Sequence, residues 1–188
     1  MKNYFIIHGF MGSNIENWFP WFKSKIDSEN CLCTIPQFPI QIDKHNYNNW
    51  KRLLDVYNND YKMFNDETIL IGHSTGSICV LKYILESKIK IDKLILISGF
   101  NNFLDPQEDD IHNKVNPTYY VKDEDIIKVK KYANEIICIY GDNDPYIPQE
   151  VFHNFAKLIE AQEIIIKGGG HLNSAAGYTT FEELLKLL

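Results

Sequence analysis

The sequence predicts an α/β protein, a three-layer α/β/α sandwich built on a mostly parallel sheet of six strands. Six runs rich in Ile, Leu and Val, at 4–7, 31–35, 68–71, 94–98, 136–140 and 163–166, have the length and composition of buried strands. Segments with helical spacing lie between most of them, and a strand-helix alternation places strands parallel with helices on both faces. The 188 residues, 45% of them hydrophobic, suit one core, so 1–188 is expected to form a single domain.

The elements follow in order. Tyr4-Phe5-Ile6-Ile7 runs into the glycine-containing loop His8-Gly9-Phe10-Met11-Gly12-Ser13, and 18–26 is the first helical segment. The second strand runs into Pro36 and Pro39, and 47–57 is the next helix, carrying Trp50. Thr68-Ile69-Leu70-Ile71 precedes Gly72, and 77–86 reads as a helix. After the fourth strand comes a long connection, 100–122, with Pro106, Pro117 and the acidic cluster Glu108-Asp109-Asp110. Its Phe100, Phe103, Tyr119 and Tyr120 supply apolar surface that a purely solvated loop does not need, so it is a candidate small lid. Helices at 125–132 and 148–158 flank the fifth strand, and a C-terminal helix at 180–188 places Glu182 and Lys186 one turn apart. The sequence has no internal repeat, heptad pattern or low-complexity tract.

A net charge of −6 with scattered lysines excludes the basic stripe that a nucleic-acid surface needs. The apolar run before His8 is too short for a signal-peptide core or a membrane span, so a soluble, cytoplasmic protein without membrane attachment is expected. Cys31, Cys33, Cys79 and Cys138 sit mostly in apolar segments and read as reduced, buried thiols. Cys31-Leu32-Cys33 lacks metal or redox spacing, and no metal site is expected.

Gly72-His73-Ser74-Thr75-Gly76 is a Gly-x-Ser-x-Gly motif between a strand and a helix, the context of a nucleophile elbow. Ser74 is therefore the candidate nucleophile, and it requires a base and an acid downstream. Of six histidines, His171 follows the last strand through Lys167-Gly168-Gly169-Gly170, at the sheet edge where catalytic groups collect. His73 points away from its neighbour at such a turn and reads as packing or lining beside the elbow. His8 is expected to shape its own loop by hydrogen bonds, and His45, His112 and His153 fall in a loop or on helix surfaces. The acid should follow the fifth strand, where Asp144 precedes Pro145 and Asp142 is the alternative. The Thr75 N–H, at the start of a helix, is one expected oxyanion donor. The second is assigned to Phe10, with Met11 as the alternative.

The chain order Ser74, Asp144, His171 is that of the α/β-hydrolase arrangement. His8-Gly9, the Gly72–Gly76 elbow, Asp144-Pro145-Tyr146-Ile147-Pro148 and Gly170-His171 together resemble a small member of that superfamily, similar to the compact serine hydrolases of the retinoblastoma-binding protein nine and YdeN group. The resemblance implies a sheet ordered second-first-third-fourth-fifth-sixth, lacking the first two strands of larger hydrolases. Residues 31–39 also resemble the group's proline-containing strand and loop. Phe38 and Trp50 are expected in the core, and Met11, Phe38, Phe100 and Phe103 are the candidates for substrate contact. The 100–122 segment matches no transferable pattern.

The leading expectation is a carboxylesterase-like serine hydrolase acting on a small-molecule acyl substrate with no cofactor. One alternative is a protein-interaction module with weak or no activity, although no protein partner is indicated. Another is an acyltransferase, thioesterase or peptidase on the same scaffold.

Overall fold

The computed structural model describes residues 2–101 and 112–188. Strands β1 (Lys2–Ile7), β2 (Cys31–Thr34), β3 (Thr68–His73), β4 (Ile91–Ile97), β5 (Ala133–Gly141) and β6 (Gln162–Ile166) form one sheet in the order β2-β1-β3-β4-β5-β6. Each neighbouring pair is parallel. The β4 and β5 ladders begin three residues before their apolar runs, because residues such as Asp92, Lys93 and Asn134 continue the pairing. An apolar run marks only the buried middle of a strand.

Alternation along the strands divides the core. Phe5, Ile7, Leu70, Leu94, Leu96, Ile136 and Cys138 face one side, with Trp50 and Leu54 of α2 (Tyr47–Asp55) and the buried face of α3 (Thr75–Ser87). Phe155 and Ala156 of α6 (Gln149–Leu158) join the same side. Tyr4, Ile6, Ile69, Ile71, Ile95, Ile97, Ile137 and Ile139 face the other side, against Phe19 and Phe22 of α1 (Phe19–Ile26) and residues from the C-terminal end of the chain. Helices on both faces give the three layers, and the strands read as continuous apolar runs for that reason.

The structure departs from the expected helices in three places. The segment expected at 47–57 is α-helical only to Asp55 and continues as a π-helical turn, Val56–Asp60, in which Tyr61 N–H bonds the Val56 carbonyl at 3.3 Å. The helix expected at 125–132 starts earlier, as α5 (Asp123–Ile126), with three carboxylates in its first turn, and then tightens to a 3-10 helix, Ile127–Lys131. That tightening keeps Ile126 and Val129, three residues apart, on one buried face. The helix expected at 180–188 is only α7 (Glu182–Leu185), because Phe181 is extended and buried edge-on against Trp18.

Between β4 and α5, the described part of the long connection contains α4 (His112–Val115) and a 3-10 turn, Asn116–Thr118. Asn101 closes its base, donating to the Val121 carbonyl at 2.7 Å and accepting the Val121 N–H at 3.1 Å. Lys82 of α3 donates to the Thr118 carbonyl at 2.9 Å, and Tyr119 is buried against Trp50 and Tyr47. The C-terminal part of the connection is therefore packed on α2 and α3. Phe103 and the acidic cluster lie outside the described residues. Among the described residues no helix is long and apolar enough to cross a membrane.

One contact fixes the elbow. A Cβ on Gly76 would lie 2.3 Å from the Ile7 carbonyl oxygen and 2.5 Å from that of His8, and one on Gly72 would lie 2.4 Å from the Ser77 Cα. The obstructing atoms are backbone and cannot swing aside. Gly76→Ala is therefore expected to cost roughly 3 kcal/mol of stability. Gly168→Ala, with φ of 69° but nothing within 4 Å of the added carbon, should cost only about 1 kcal/mol of backbone strain. Urea unfolding of both variants checks this, and equal losses would contradict the close approach of α3 to β1.

Candidate active site

Ser74 occupies the turn between β3 and α3 with φ of 53° and ψ of −124°. This conformation is costly for a residue with a side chain and persists only where surroundings enforce it. The Ser74 N–H donates to the Ile97 carbonyl of β4 at 2.8 Å. Ser77 Oγ lies 2.8 Å from the Gly72 carbonyl oxygen and 3.2 Å from that of Ile97, tying the first turn of α3 to both strands. The Ser74 hydroxyl makes no capping bond to α3.

His171 lies beyond β6 and Asp144 beyond β5, and the fold brings them together. His171 Nδ1 is 2.6 Å from Asp144 Oδ2, in a pair whose side chains are 9% and 0% exposed. The other carboxylate oxygen accepts the N–H groups of Tyr146 at 2.9 Å and Ile147 at 3.1 Å. Acceptance by the carboxylate places a proton on Nδ1, so in the neutral ring Nε2 carries the lone pair. Asp142 does different work: its Oδ1 accepts the Gly168 N–H at 2.7 Å. Asn143 Oδ1 accepts the Gly170 N–H, also at 2.7 Å. Three consecutive side chains thus hold the glycine turn and the histidine that it delivers.

The loop after β1 passes over the elbow. A Cβ on Gly9 would lie 3.0 Å from the Ser74 Cβ. Met11 has φ of 50° and is 47% exposed, on the open side of this loop. The Phe10 ring stacks on His45 at 4.9 Å, and His45 stacks in turn on Trp50 at 4.9 Å. His45 lies in the loop before α2, as a buried aromatic support. The Thr75 N–H belongs to the first turn of α3, where backbone donors lack intrahelical acceptors. His8 shapes its loop: Nδ1 lies 2.9 Å from the Gly9 carbonyl oxygen and Nε2 accepts the Phe38 N–H at 3.0 Å. Burial lowers the pKa of His8.

The sequence-based substrate contacts separate. Phe38 is buried, tilted against Trp50 and edge-on to His8, which makes it a core residue beneath the loop and not part of an open pocket wall. Phe100 is buried in a small cluster with Tyr140, Ile147 and Phe152, and so it too faces protein. Sequence reasoning missed Tyr146, whose exposed ring meets His171 edge-on at 5.1 Å. Its position beside Pro145 was the available signal. His73 lies beside the elbow, its Nε2 2.9 Å from the His171 carbonyl oxygen and the two rings 5.2 Å apart. Among the described residues no cluster of three or more His, Cys, Asp or Glu side chains is arranged to hold a metal ion.

A six-stranded parallel sheet, a strained serine between strand and helix, and an acid-histidine pair on later strand ends define an α/β-hydrolase. The family model described as serine hydrolase matches residues 4–188, and the chain belongs to that family. It is 25% identical to the putative hydrolase YdeN of Bacillus subtilis over 187 residues, 95% of this chain and 90% of that protein. The crystal structure of the B. subtilis ydeN gene product superimposes with a TM-score of 0.85 and 22% identity, over 100% of this chain and 96% of the other. The serine hydrolase RBBP9 of Rattus norvegicus is 25% identical over 123 residues, 65% of this chain and 60% of that one. Est1E from Butyrivibrio proteoclasticus, solved with ferulic acid bound, shares the fold at a TM-score of 0.71 and 19% identity, covering 99% and 89% of the two chains.

The His73 ring is held to a pKa of about 3, first by burial and then by the neighbouring His171. An unfolded chain binds a proton at this ring near 6.5 while the folded chain does not, so its contribution to stability is complete above about pH 6.5. It is lost as pH falls towards 3, at up to about 1.4 kcal/mol per pH unit. Urea unfolding between pH 7 and pH 4 should therefore show a shallower fall for His73→Gln than for the parent protein. Parallel slopes would mean that the ring is protonated in the fold.

Proposed function

We propose that the protein is a carboxylesterase-like serine hydrolase that cleaves small esters or related acyl compounds through an acyl-enzyme on Ser74. The single observation that carries this reading is the 2.6 Å contact between His171 Nδ1 and the buried Asp144 carboxylate, on the sheet edge that also presents Ser74. In the first half-reaction Ser74 Oγ attacks the acyl carbon while His171 Nε2 takes its proton. The imidazolium then gives that proton to the leaving alcohol. Asp144 holds the ring in the required tautomer and offsets the positive charge as it forms. The developing oxyanion is received by the Thr75 N–H, aided by the N-terminal dipole of α3, and by the Phe10 or Met11 N–H. Water then repeats the sequence against the acyl-enzyme. Every proton moves between Ser74, His171, substrate and water, so the chemistry requires no cofactor.

Membership of the serine hydrolase family supports this assignment, and Est1E provides a shared fold on which an aromatic acid is bound. The exposed Tyr146 ring beside His171 and the exposed Met11 supply apolar surface at the mouth for an acyl or alcohol group. A soluble small-molecule acyl compound, acted on in the cytoplasm, is the partner this reading names.

Fluorophosphonate labelling, peptide mapping and p-nitrophenyl acetate hydrolysis provide the test. The parent protein should label at Ser74 and turn over ester, with Ser74→Ala losing both. Equal hydrolysis by the two proteins, with no label on Ser74, would favour a protein-binding role for the fold. Within the active protein, Asp144→Asn should lower kcat by about 10³- to 10⁴-fold. Asp142→Asn retains an oxygen for the Gly168 N–H and should change kcat little. The reverse ranking would transfer the acid role to Asp142.

A further inference from the structure

The chain around His171 is strained, and what restrains it is not the imidazole alone. Gly168, Gly170 and Leu172 have φ of 69°, 54° and 51°, so left-handed residues recur on both sides of the histidine. Leu172 carries a full side chain in that region, which requires enforcement from outside the loop. Asp142 and Asn143 hold the loop on its approach to His171. Beyond it, Trp18 Nε1–H donates to the Leu172 carbonyl at 3.2 Å. Between these, the carbonyl oxygen of His171 itself has two neighbours: His73 Nε2 at 2.9 Å and Ser98 Oγ at 3.1 Å.

Both neighbours come from the machinery that positions Ser74. His73 is the last residue of β3 and directly precedes the serine. Ser98 follows β4, has φ of 47°, and is anchored by its N–H to the Ile139 carbonyl at 2.8 Å. Its neighbour Ile97 accepts the Ser74 N–H. A carbonyl oxygen only accepts, so His73 carries its proton on Nε2 and donates, and Ser98 donates its hydroxyl proton. His73 Nδ1 is then a bare acceptor, and it is buried without a hydrogen-bond partner. Leaving a buried polar atom unsatisfied is unfavourable, so packing alone gives no reason for histidine here over an apolar ring. A donor aimed at the His171 carbonyl does.

We propose that His73 and Ser98 form a two-donor latch on the main-chain carbonyl of His171 and so set the position of its imidazole relative to Ser74. They are positioning residues, and the proposal rests on the reading of His171 as the base in ester hydrolysis. The latch joins the base to the ends of the same two strands that hold the serine. Nucleophile and base then shift together when the sheet flexes, whereas Asp144 fixes only the ring's rotation and tautomer.

The test uses full-length His73→Leu, His73→Gln and Ser98→Ala, with thermal unfolding to establish that each is folded. The Gln side chain can return an amide donor near the Nε2 position. His73→Leu should lower kcat for p-nitrophenyl acetate by up to about 10²-fold, as expected of a misplaced reacting group, with KM nearly unchanged. His73→Gln should recover most of the loss, and Ser98→Ala, which removes one hydroxyl from the core, should show a smaller kcat loss of the same kind. In proton NMR, the downfield Nδ1–H signal of His171 in its bond to Asp144 should broaden in His73→Leu and Ser98→Ala relative to the parent. Parent-like kcat and an unchanged signal in folded Ser98→Ala and His73→Gln, with Leu no worse than Gln, would overturn the latch. The NMR measurement needs no turnover. It therefore decides on the latch even if Ser74 proves inert, which separates failure of the latch from failure of the hydrolase reading.

Discussion

Gly76 lies so close to β1 that a side-chain carbon would be 2.3 Å from the Ile7 carbonyl oxygen, and the geometry of the site follows from that contact. It sets α3 directly against the end of β1, so the turn between β3 and α3 has no room to relax. Ser74 is forced to a positive φ, and the Thr75 N–H opens the helix beneath the loop that follows β1. The same closeness explains the second glycine of the approach, Gly9, where a Cβ would be 3.0 Å from the Ser74 Cβ. A larger residue at either position would push the β1 loop away from Ser74 and the start of α3.

The far side of the site obeys a different rule. β6 is an edge strand, and the loop beyond it has no sheet neighbour to hold it. Polar side chains replace the missing ladder: Asp142, Asn143 and Asp144 at the end of β5 take Gly168, Gly170 and His171 in turn. Gly141 lets the two segments meet, since a Cβ there would lie 2.3 Å from the Gly170 carbonyl oxygen. The Asp144 bond, made by a fully buried carboxylate, is the costly one to break, whereas the Asp142 bond to Gly168 is exposed.

Local signals in the chain explain what was legible before the structure. All six strands were visible because a strand covered on both faces is apolar along its length. Ser74 was visible because an elbow needs small residues at fixed spacing. Asp144 and His171 were visible because each follows a strand through turn-forming residues. The remainder depends on distant partners. The π-helical turn after α2, the shortened α7 and the tightened turn after α5 each follow from which side chain must be buried, a choice that no local periodicity encodes. The roles of Asn143, Ser77, Ser98 and His45 depend on groups at least five residues away in sequence, and in most cases many more. Phe38 was assigned both to the core and to a pocket wall because an aromatic in a proline loop gives the same local pattern in either place.

Burial distinguishes the three histidines gathered around Ser74. A general base must gain and lose a proton in every cycle, so its ring needs both a partner for the charged form and access to the reacting atoms. His8 is fully enclosed, its ring nitrogens are engaged by Gly9 and Phe38, and burial lowers its pKa. His73 is also buried, with a pKa of about 3 and one nitrogen committed to the His171 carbonyl. The His73 ring therefore stays neutral near neutral pH, and His8 is shifted in the same direction. His171 alone of the three has a carboxylate on Nδ1, the arrangement that the proposed role as base requires. The neutral His73 ring places no positive charge beside the elbow, and this supports the proposed reading of His171 as the base.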